Sequence, residues 1–521
     1  MDTPVTLARP VDADDTASSP AVPQRLGREA WAVVAASVAA MLAVGFWGLD
    51  RGSMWQDEEA TFDASRRTVP QILAMVHHVD AVHAVYYLLM HFWMLPGGGE
   101  VWMRVPSVLA AGAAAGLVAA LGARLLSPRA GLFAGLVFAV IPFVSFYAQE
   151  GRSYALVCAV VLLATWCLVR AVEDPGARWW WAGYTAASTF AALLHEFAVL
   201  ALLAHAVTLL LSRVPGRVLR RWLVCTVVCG VLLAPLALVS RSQSTQVSWL
   251  ERPGWGTVWA LLKLLAGPVT GVLVLLAALV AAGLTTSWRA GGRLTLAAVA
   301  APLAVLPPAV LLLVSLQQPM YHERYVLFAV AGVPLLAAAG LERIVSVFLA
   351  RARLRRPEAL PRALAALPWV LGAAVVAAVL VPQLPQQRAE RDVLSRSDNL
   401  AGAARVVRKG ARPGDAVVFM PSKYRAARLG YPEAFKGLED IAMQRTPVQA
   451  ANLRGTDRSK RAIREAMLKA DRIWVVGRGG LKVRAGEGGA LDEQAVLQQY
   501  FRPVSSVRVH GLEVRLYVRT S

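Results

Sequence analysis

The chain has 521 residues, of which 56% are hydrophobic and only 17% charged, where an ordinary soluble domain is about 25% charged. Its apolar residues gather in runs of about 20, long enough to cross a hydrocarbon core of about 30 Å. This excludes a soluble enzyme, a disordered chain and a disulfide scaffold, and also an outer-membrane barrel, whose strands would alternate over about ten positions.

A formal charge of +20 does not point to nucleic acid. After residue 385 there are 26 Lys and Arg against 14 Asp and Glu, and most other basic residues lie between apolar runs, where they set topology. No basic-aromatic groove pattern is present. In chain order, residues 1–29 are rich in Asp, Pro, Ser and Ala and read as a disordered cytoplasmic tail. Apolar runs follow near 30–49, 105–123, 130–148, 154–170, 179–195, 197–212, 222–240, 257–283, 294–316, 325–344 and 366–385, about eleven spans. With the N-terminus inside, the inner segments hold 19 basic residues and the outer loops 8. An odd number of spans places the last 135 or so residues outside the cytoplasm. Residues 83–95 are apolar but too short to span, and read as an interfacial or re-entrant helix. The expected fold is therefore a polytopic α-helical membrane domain over 30–385, with a long first outer loop at 50–104, and a small C-terminal extracytoplasmic α/β domain over 386–521. In that domain Ser397–Lys409 reads as a helix ended by Gly410. Asp415–Met420 and Arg472–Gly477 read as buried strands, each after a helix, and Val507–Val518 as a hairpin around His510-Gly511. The glycines from Gly477 onward lack the third glycine of a dinucleotide fingerprint and read as a turn. Cys158, Cys167, Cys225 and Cys229 lie inside apolar runs, with no second ligand pair to suggest zinc.

The polar residues that interrupt this pattern cluster on one face. The first outer loop opens W-Q-D-E-E-A-T-F-D. Asp57 and Glu58 suit a helix N-terminus, and a carboxylate facing a membrane-level cavity is a candidate general base. Glu59 points roughly 200° from Asp57 around a helix of about 3.6 residues per turn. Y-A-Q-E-G-R-S-Y places Glu150 and Arg152 next to hydrocarbon, where charge is costly unless paired or functional. Y-H-E-R-Y (321–325) and His195-Glu196 fall on the same side, as does His83. Carboxylates for a base, with Arg and His for a phosphate and apolar walls for a lipid, are what transfer from a lipid-phosphate-linked sugar requires.

The ordered set W-Q-D-E-E-A-T, H-A-V-Y-Y-L-L-M-H-F-W, R-V-P-S, Y-A-Q-E-G-R-S-Y-A-L, L-L-H-E-F and H-E-R-Y-V-L resembles the GT-C superfamily of membrane glycosyltransferases over about residues 30–345. The nearest group is the glycosyltransferase family 39, the dolichyl-phosphate-mannose protein mannosyltransferase-like proteins. The resemblance implies an inverting transfer from a polyprenyl-phosphate sugar at the extracytoplasmic face of a bacterial plasma membrane. It implies catalytic roles for Asp57 and Glu58, and donor phosphate or sugar binding by His83, Tyr87, Glu150, Arg152, His195, His322, Arg324 and Tyr325. The family's H-P-P-L-Y-Y is here His83-Ala84-Val85-Tyr86-Tyr87, without either proline, and Gly151 replaces the Ala of Q-E-A-R. A divalent metal ion on Asp57 and Glu58 is a possible cofactor. The implied partners are the donor lipid, the bilayer and a glycan, lipid or protein acceptor. Sugar, acceptor, oligomeric state and the role of the C-terminal domain are not written in the motifs. Two other readings are a transporter or flippase for a lipid-linked sugar and a membrane scaffold for the external domain. The first calls for charges at mid-span and internal repeats, and only Lys263 comes near. The second leaves the outer polar islands unexplained.

Overall fold

The computed structural model describes residues 27–243, 249–288, 293–355, 362–479 and 488–520. The expected tail, apart from its last three residues, and most of the glycine turn near 477–489 lie outside them. Helix α1 (Arg28–Phe46) enters the bundle and is followed by three short helices, α2 (Gln56–Ser65), α3 (Val69–His78) and α4 (Ala84–Met94). The stretch expected to be interfacial is thus an eleven-residue helix, packed on α2 and α3 rather than spanning. Then come α5 (Glu100–Leu125), α6 (Pro128–Val140), α7 (Pro142–Ala148), α8 (Tyr154–Glu173), α9 (Arg178–Leu194), α10 (Leu200–Leu211) and α11 (Gly216–Ser242). The membrane part closes with α12 (Trp255–Ala266), α13 (Thr270–Leu284), α14 (Leu296–Ser315), α15 (Gly332–Arg355), α16 (Arg362–Leu380) and α17 (Leu384–Ala389).

All eleven apolar runs are helical, but not all are full spans. Among the described residues, seven helices are long and apolar enough to cross a membrane, or up to nine if each bent pair counts as one. The pairs are α6 with α7, bent by 67° at Pro142, and α12 with α13, bent by 81°. Gly267, at φ +98°, occupies the second break, a conformation that costs glycine little. The two remaining runs, Arg178–Leu194 and Glu196–Leu211, are shorter than a full crossing. Their break falls at His195-Glu196, a polar pair between two apolar stretches. Start signals are local: Ser127 accepts from the Ala130 N–H with Pro128 in the first turn, and Thr295 caps α14 through the Ala298 N–H. Small residues bring the core helices together. A Cβ on Gly122 of α5 would meet the backbone of Gly131 of α6 at 2.8 Å, the close approach typical of membrane interfaces.

The C-terminal domain is a sheet between two helical layers. Strands β1 (Ala416–Met420), β2 (Glu439–Asp440), β3 (Met443–Arg445), β4 (Thr456–Asp457), β5 (Arg472–Arg478), β6 (Phe501–Val509) and β7 (Leu512–Arg519) form it, with β3 and β4 as a separate pair. The order is β2-β1-β5-β7-β6, with β1 and β5 parallel and the β6–β7 hairpin antiparallel. The hairpin starts six residues before the expected Val507. Period-two alternation explains why β1 is buried on both faces. Val417 and Phe419 join α18 (Leu400–Gly410) and α19 (Ala426–Gly430), while Ala416, Val418 and Met420 join α20 (Lys460–Lys469) and α21 (Gly488–Tyr500). This domain packs on α2, just past the C-terminal end of α1. It therefore sits at the end of the bundle opposite residue 28, as an odd number of crossings requires.

Candidate active site

Helix α2 carries the site. Its three consecutive acids lie in the first turn, where the helix dipole favours negative charge, and their side chains take three directions. Asp57 is the half-exposed one: its Oδ2 accepts from Arg324 Nη1 at 2.9 Å, and its side chain keeps 32% of its surface open. Glu58 is fully buried and held by Arg104, whose Nε and Nη2 donate to its two oxygens at 2.8 and 2.7 Å. The Gly151 N–H also donates to Glu58 Oε1, at 2.8 Å. Burial would push this carboxyl up, but Arg104 overrides it and holds Glu58 below the usual carboxylate range. Glu59 is turned away from Asp57 toward the C-terminal domain, where it pairs with Arg454. Burial dominates there and raises its carboxyl to about 8.

Around Asp57 the expected residues converge. Arg152 is buried; it donates to the Asp57 carbonyl at 3.2 Å and to the Tyr87 hydroxyl at 3.4 Å, and lies 2.6 Å from His83 Nε2. Tyr87 in turn donates to Asp80 at 2.7 Å. The His83 ring lies 5.8 Å from that of His195, which lies 4.6 Å from Tyr325. Burial, with the adjacent Arg152 and His195, keeps His83 well below the ordinary imidazole value and so neutral. Arg324 sits against the rings of Trp55, Tyr154 and Tyr325 at 5.3–5.8 Å. Glu150 faces the same cluster from behind, paired with Arg396 at 3.0 Å, and burial raises its carboxyl. His322 stands apart: it pairs with Glu323 at 3.1 Å, next to Trp249 and Tyr325. Several buried atoms here, among them His83 Nδ1, His195 Nδ1, Arg152 Nε, Arg324 Nε and Glu150 Oε1, have no hydrogen-bond partner among the described residues. Buried polar atoms are rarely left so unless a ligand or water meets them.

Gly151, where the resembling family has Ala, has a local reason. A Cβ there would come within 2.8 Å of the terminal methyl of Met103, a flexible side chain that would have to shift, while the same residue's N–H faces Glu58. As for a metal, no group of three or more His, Cys, Asp or Glu is gathered among the described residues. Glu58 has both oxygens taken by Arg104, and Asp57 already faces a guanidinium, so the donor set does not fit a divalent ion.

Three partners escaped the sequence reading. Arg104 carried a signal: an ionisable residue inside an apolar run needs a carboxylate. Arg396 and Arg454 carried none, because their partners lie 246 and 395 residues away.

Residues 83–240 match the model of a family described as dolichyl-phosphate-mannose-protein mannosyltransferase; Asp57 and Arg324 lie outside this stretch. The fold matches the crystal structure of ArnT from Cupriavidus metallidurans in the apo state, with a TM-score of 0.60 and 16% identity over 94% of this chain and 98% of that one. It matches the same protein bound to undecaprenyl phosphate at 0.58, with the same identity and coverage. The Archaeoglobus fulgidus oligosaccharyltransferase in complex with Zn and sulfate matches at 0.50 and 11% identity, over 90% of this chain and 71% of that one. No curated protein matches the sequence. The chain thus shares the overall fold of these structures, and residues 83–240 match the mannosyltransferase family model.

Proposed function

We propose that this protein moves a sugar from a polyprenyl-phosphate donor to an acceptor hydroxyl at the extracytoplasmic membrane face, with inversion at the sugar carbon. The observation that carries this reading is the Asp57–Arg324 pair, bordered by partnerless buried atoms of His83, His195, Arg152 and Glu150. A base and cations thus face one polar space at one end of the helical bundle. The bond from the acceptor oxygen to the anomeric carbon forms as the bond from that carbon to the phosphate oxygen breaks. Asp57 takes the hydroxyl proton, and the departing electron pair rests on a phosphate met by Arg324 and Arg152. An arriving phosphate competes with Asp57 for Arg324. Donor binding thereby frees the carboxylate that the next step needs as a base. The undecaprenyl phosphate bound to ArnT supports a long-chain polyprenyl carrier. Mannose and arabinose carriers share the same phosphate and lipid, and protein, glycolipid and polysaccharide acceptors share the same hydroxyl chemistry.

The test is purified full-length protein incubated with a panel of polyprenyl-phosphate sugars, following release of polyprenyl phosphate. Acceptor-dependent release from one donor supports the reading. Unchanged donors across the panel, with the intact lipid moved across vesicles instead, would make the protein a transporter.

A further inference from the structure

A large cavity among the described residues lies at the other end of the bundle from Asp57. It is a cleft of ≈1570 Å³ between α1, α5, α8 and α9, bordered by the first residues of α11 and the segment leading into α14. We propose that it binds one anionic phospholipid. The proposal does not depend on the glycosyltransferase reading, since no residue of the candidate active site lines the cleft.

The cleft changes character with depth. Its apolar floor reaches Val38 of α1 and Leu163 of α8. Each lies ten residues from the helix end at the mouth, about 15 Å at 1.5 Å per residue. That is half of a hydrocarbon core of about 30 Å, the depth of one leaflet. Ala113 of α5 lines the cleft with a small side chain, and Gly116 lets Val38 of α1 pack closely against α5. Trp31 and Trp179, both 61% exposed, stand at the mouth where interfacial tryptophans belong.

The charge of the mouth selects the headgroup. Arg124 binds Glu173 through two bonds of 2.8 and 2.9 Å, and Arg170 shares the same carboxylate at 2.7 Å. Arg217 and Arg293 also line the mouth, are exposed, and make no ion pair or side-chain hydrogen bond among the described residues. Arg217 and Arg293 thus add two positive charges to a mouth whose lining acids are Glu173 and Asp174. A phosphodiester at that level supplies the missing negative charge, and its acyl chain fills the floor. A zwitterionic headgroup supplies no net charge, and a soluble anion leaves the apolar floor empty.

The experiment titrates delipidated full-length protein in detergent with phosphatidylglycerol or phosphatidylcholine and counts retained lipids by native mass spectrometry. Wild type should retain one phosphatidylglycerol in preference to phosphatidylcholine. Each of Arg217→Ala and Arg293→Ala should weaken it about 5-fold, from about 1 kcal/mol per basic residue at a lipid surface. Leu163→Trp should lower retention by filling the floor without changing charge, and Arg324→Ala should leave this lipid in place. Equal retention of both lipids, or phosphatidylglycerol unaffected by the double arginine substitution in a protein of unchanged melting temperature, would overturn the proposal. So would retention that begins only after deletion of residues 1–26, since the occupant would then be that segment.

Discussion

Asp57 is the one acid of its triplet that is neither fully buried nor tied up at both oxygens, and this sets the first prediction. Asp57→Asn keeps the shape, can still meet Arg324 through its amide oxygen, and removes the basicity. Turnover in the donor-release assay should fall about 10²- to 10⁴-fold, the range for a positioned general base, with donor binding nearly intact. Near-wild-type turnover would shift the role to another carboxylate. Arg324 yields a second prediction. It bridges Asp57 and three aromatic rings, and a guanidinium grips phosphate with two donors where an ammonium acts as a point charge. Donor affinity should fall further in Arg324→Ala than in Arg324→Lys; equal affinity in wild type and Arg324→Ala would make it an anchor for Asp57 alone. These two residues were legible because each sits in a motif whose residue types announce charge beside hydrocarbon. The division of labour within the triplet was not. Whether Glu58 faces substrate or Arg104 depends on which helix end lies behind α2, and no local pattern encodes that.

At the scale of the element, α2 is a short polar helix that owes its place to partners on all sides. Arg104 joins Glu58 to the carbonyls of Leu49 and Gly52, both at 3.0 Å, and so ties α2 and the end of α1 to α5. Ser107 holds the Glu150 carbonyl at 2.6 Å from the next turn of α5. The buried Arg104–Glu58 pair is therefore a positioning device. Removing one partner leaves an uncompensated buried charge, which typically costs about 3–5 kcal/mol, whereas an apolar replacement of both can be near neutral. Arg104→Met should accordingly lower the melting temperature sharply, and Arg104→Met with Glu58→Met should recover most of it. A double variant no more stable than the single one would argue that the pair itself, not its imbalance, holds the helix. Apolar periodicity made the long helices readable, including α5 and α8. Proline at 142, glycine at 267 and the polar break at His195-Glu196 divide apolar sequence into shorter pieces, which hydropathy does not show, because it reports length of apolar chain and not its direction.

At the scale of the whole molecule, the C-terminal domain closes over the site it follows by hundreds of residues. Gln56 donates to Asp398 at 2.9 Å and the Ala401 N–H to Ser53 at 3.1 Å, while Tyr431 donates to Glu100 at 2.5 Å. If this end faces outward, single cysteines at the exposed positions 66 and 448 should react with an impermeant thiol reagent in intact cells, and one at 220 should not. The four native cysteines are buried and give little background. Labelling only at 220 would invert the orientation. The docking also has a pH signature. Glu59 is enclosed by Arg454 and by Asp63 and Arg67 of its own α2 region, and burial raises its carboxyl from 4.5 to about 8. A carboxyl raised on folding stabilises the folded state fully below its unfolded value, and that stability is lost as pH climbs toward the folded one. The melting temperature should therefore decline between about pH 4.5 and 8, with Glu59 contributing at most about 1.4 kcal/mol per pH unit. Glu59→Gln keeps a neutral partner for Arg454 and cannot ionise, so its decline should be shallower, though not flat, because burial raises Glu150 and Asp398 as well. Parallel melting curves for wild type and Glu59→Gln across that window would mean that the carboxylate stays ionised in the interface. The Arg454 contact would then act as a permanent clamp on α2, and the hold of the C-terminal domain on that helix would not change with pH.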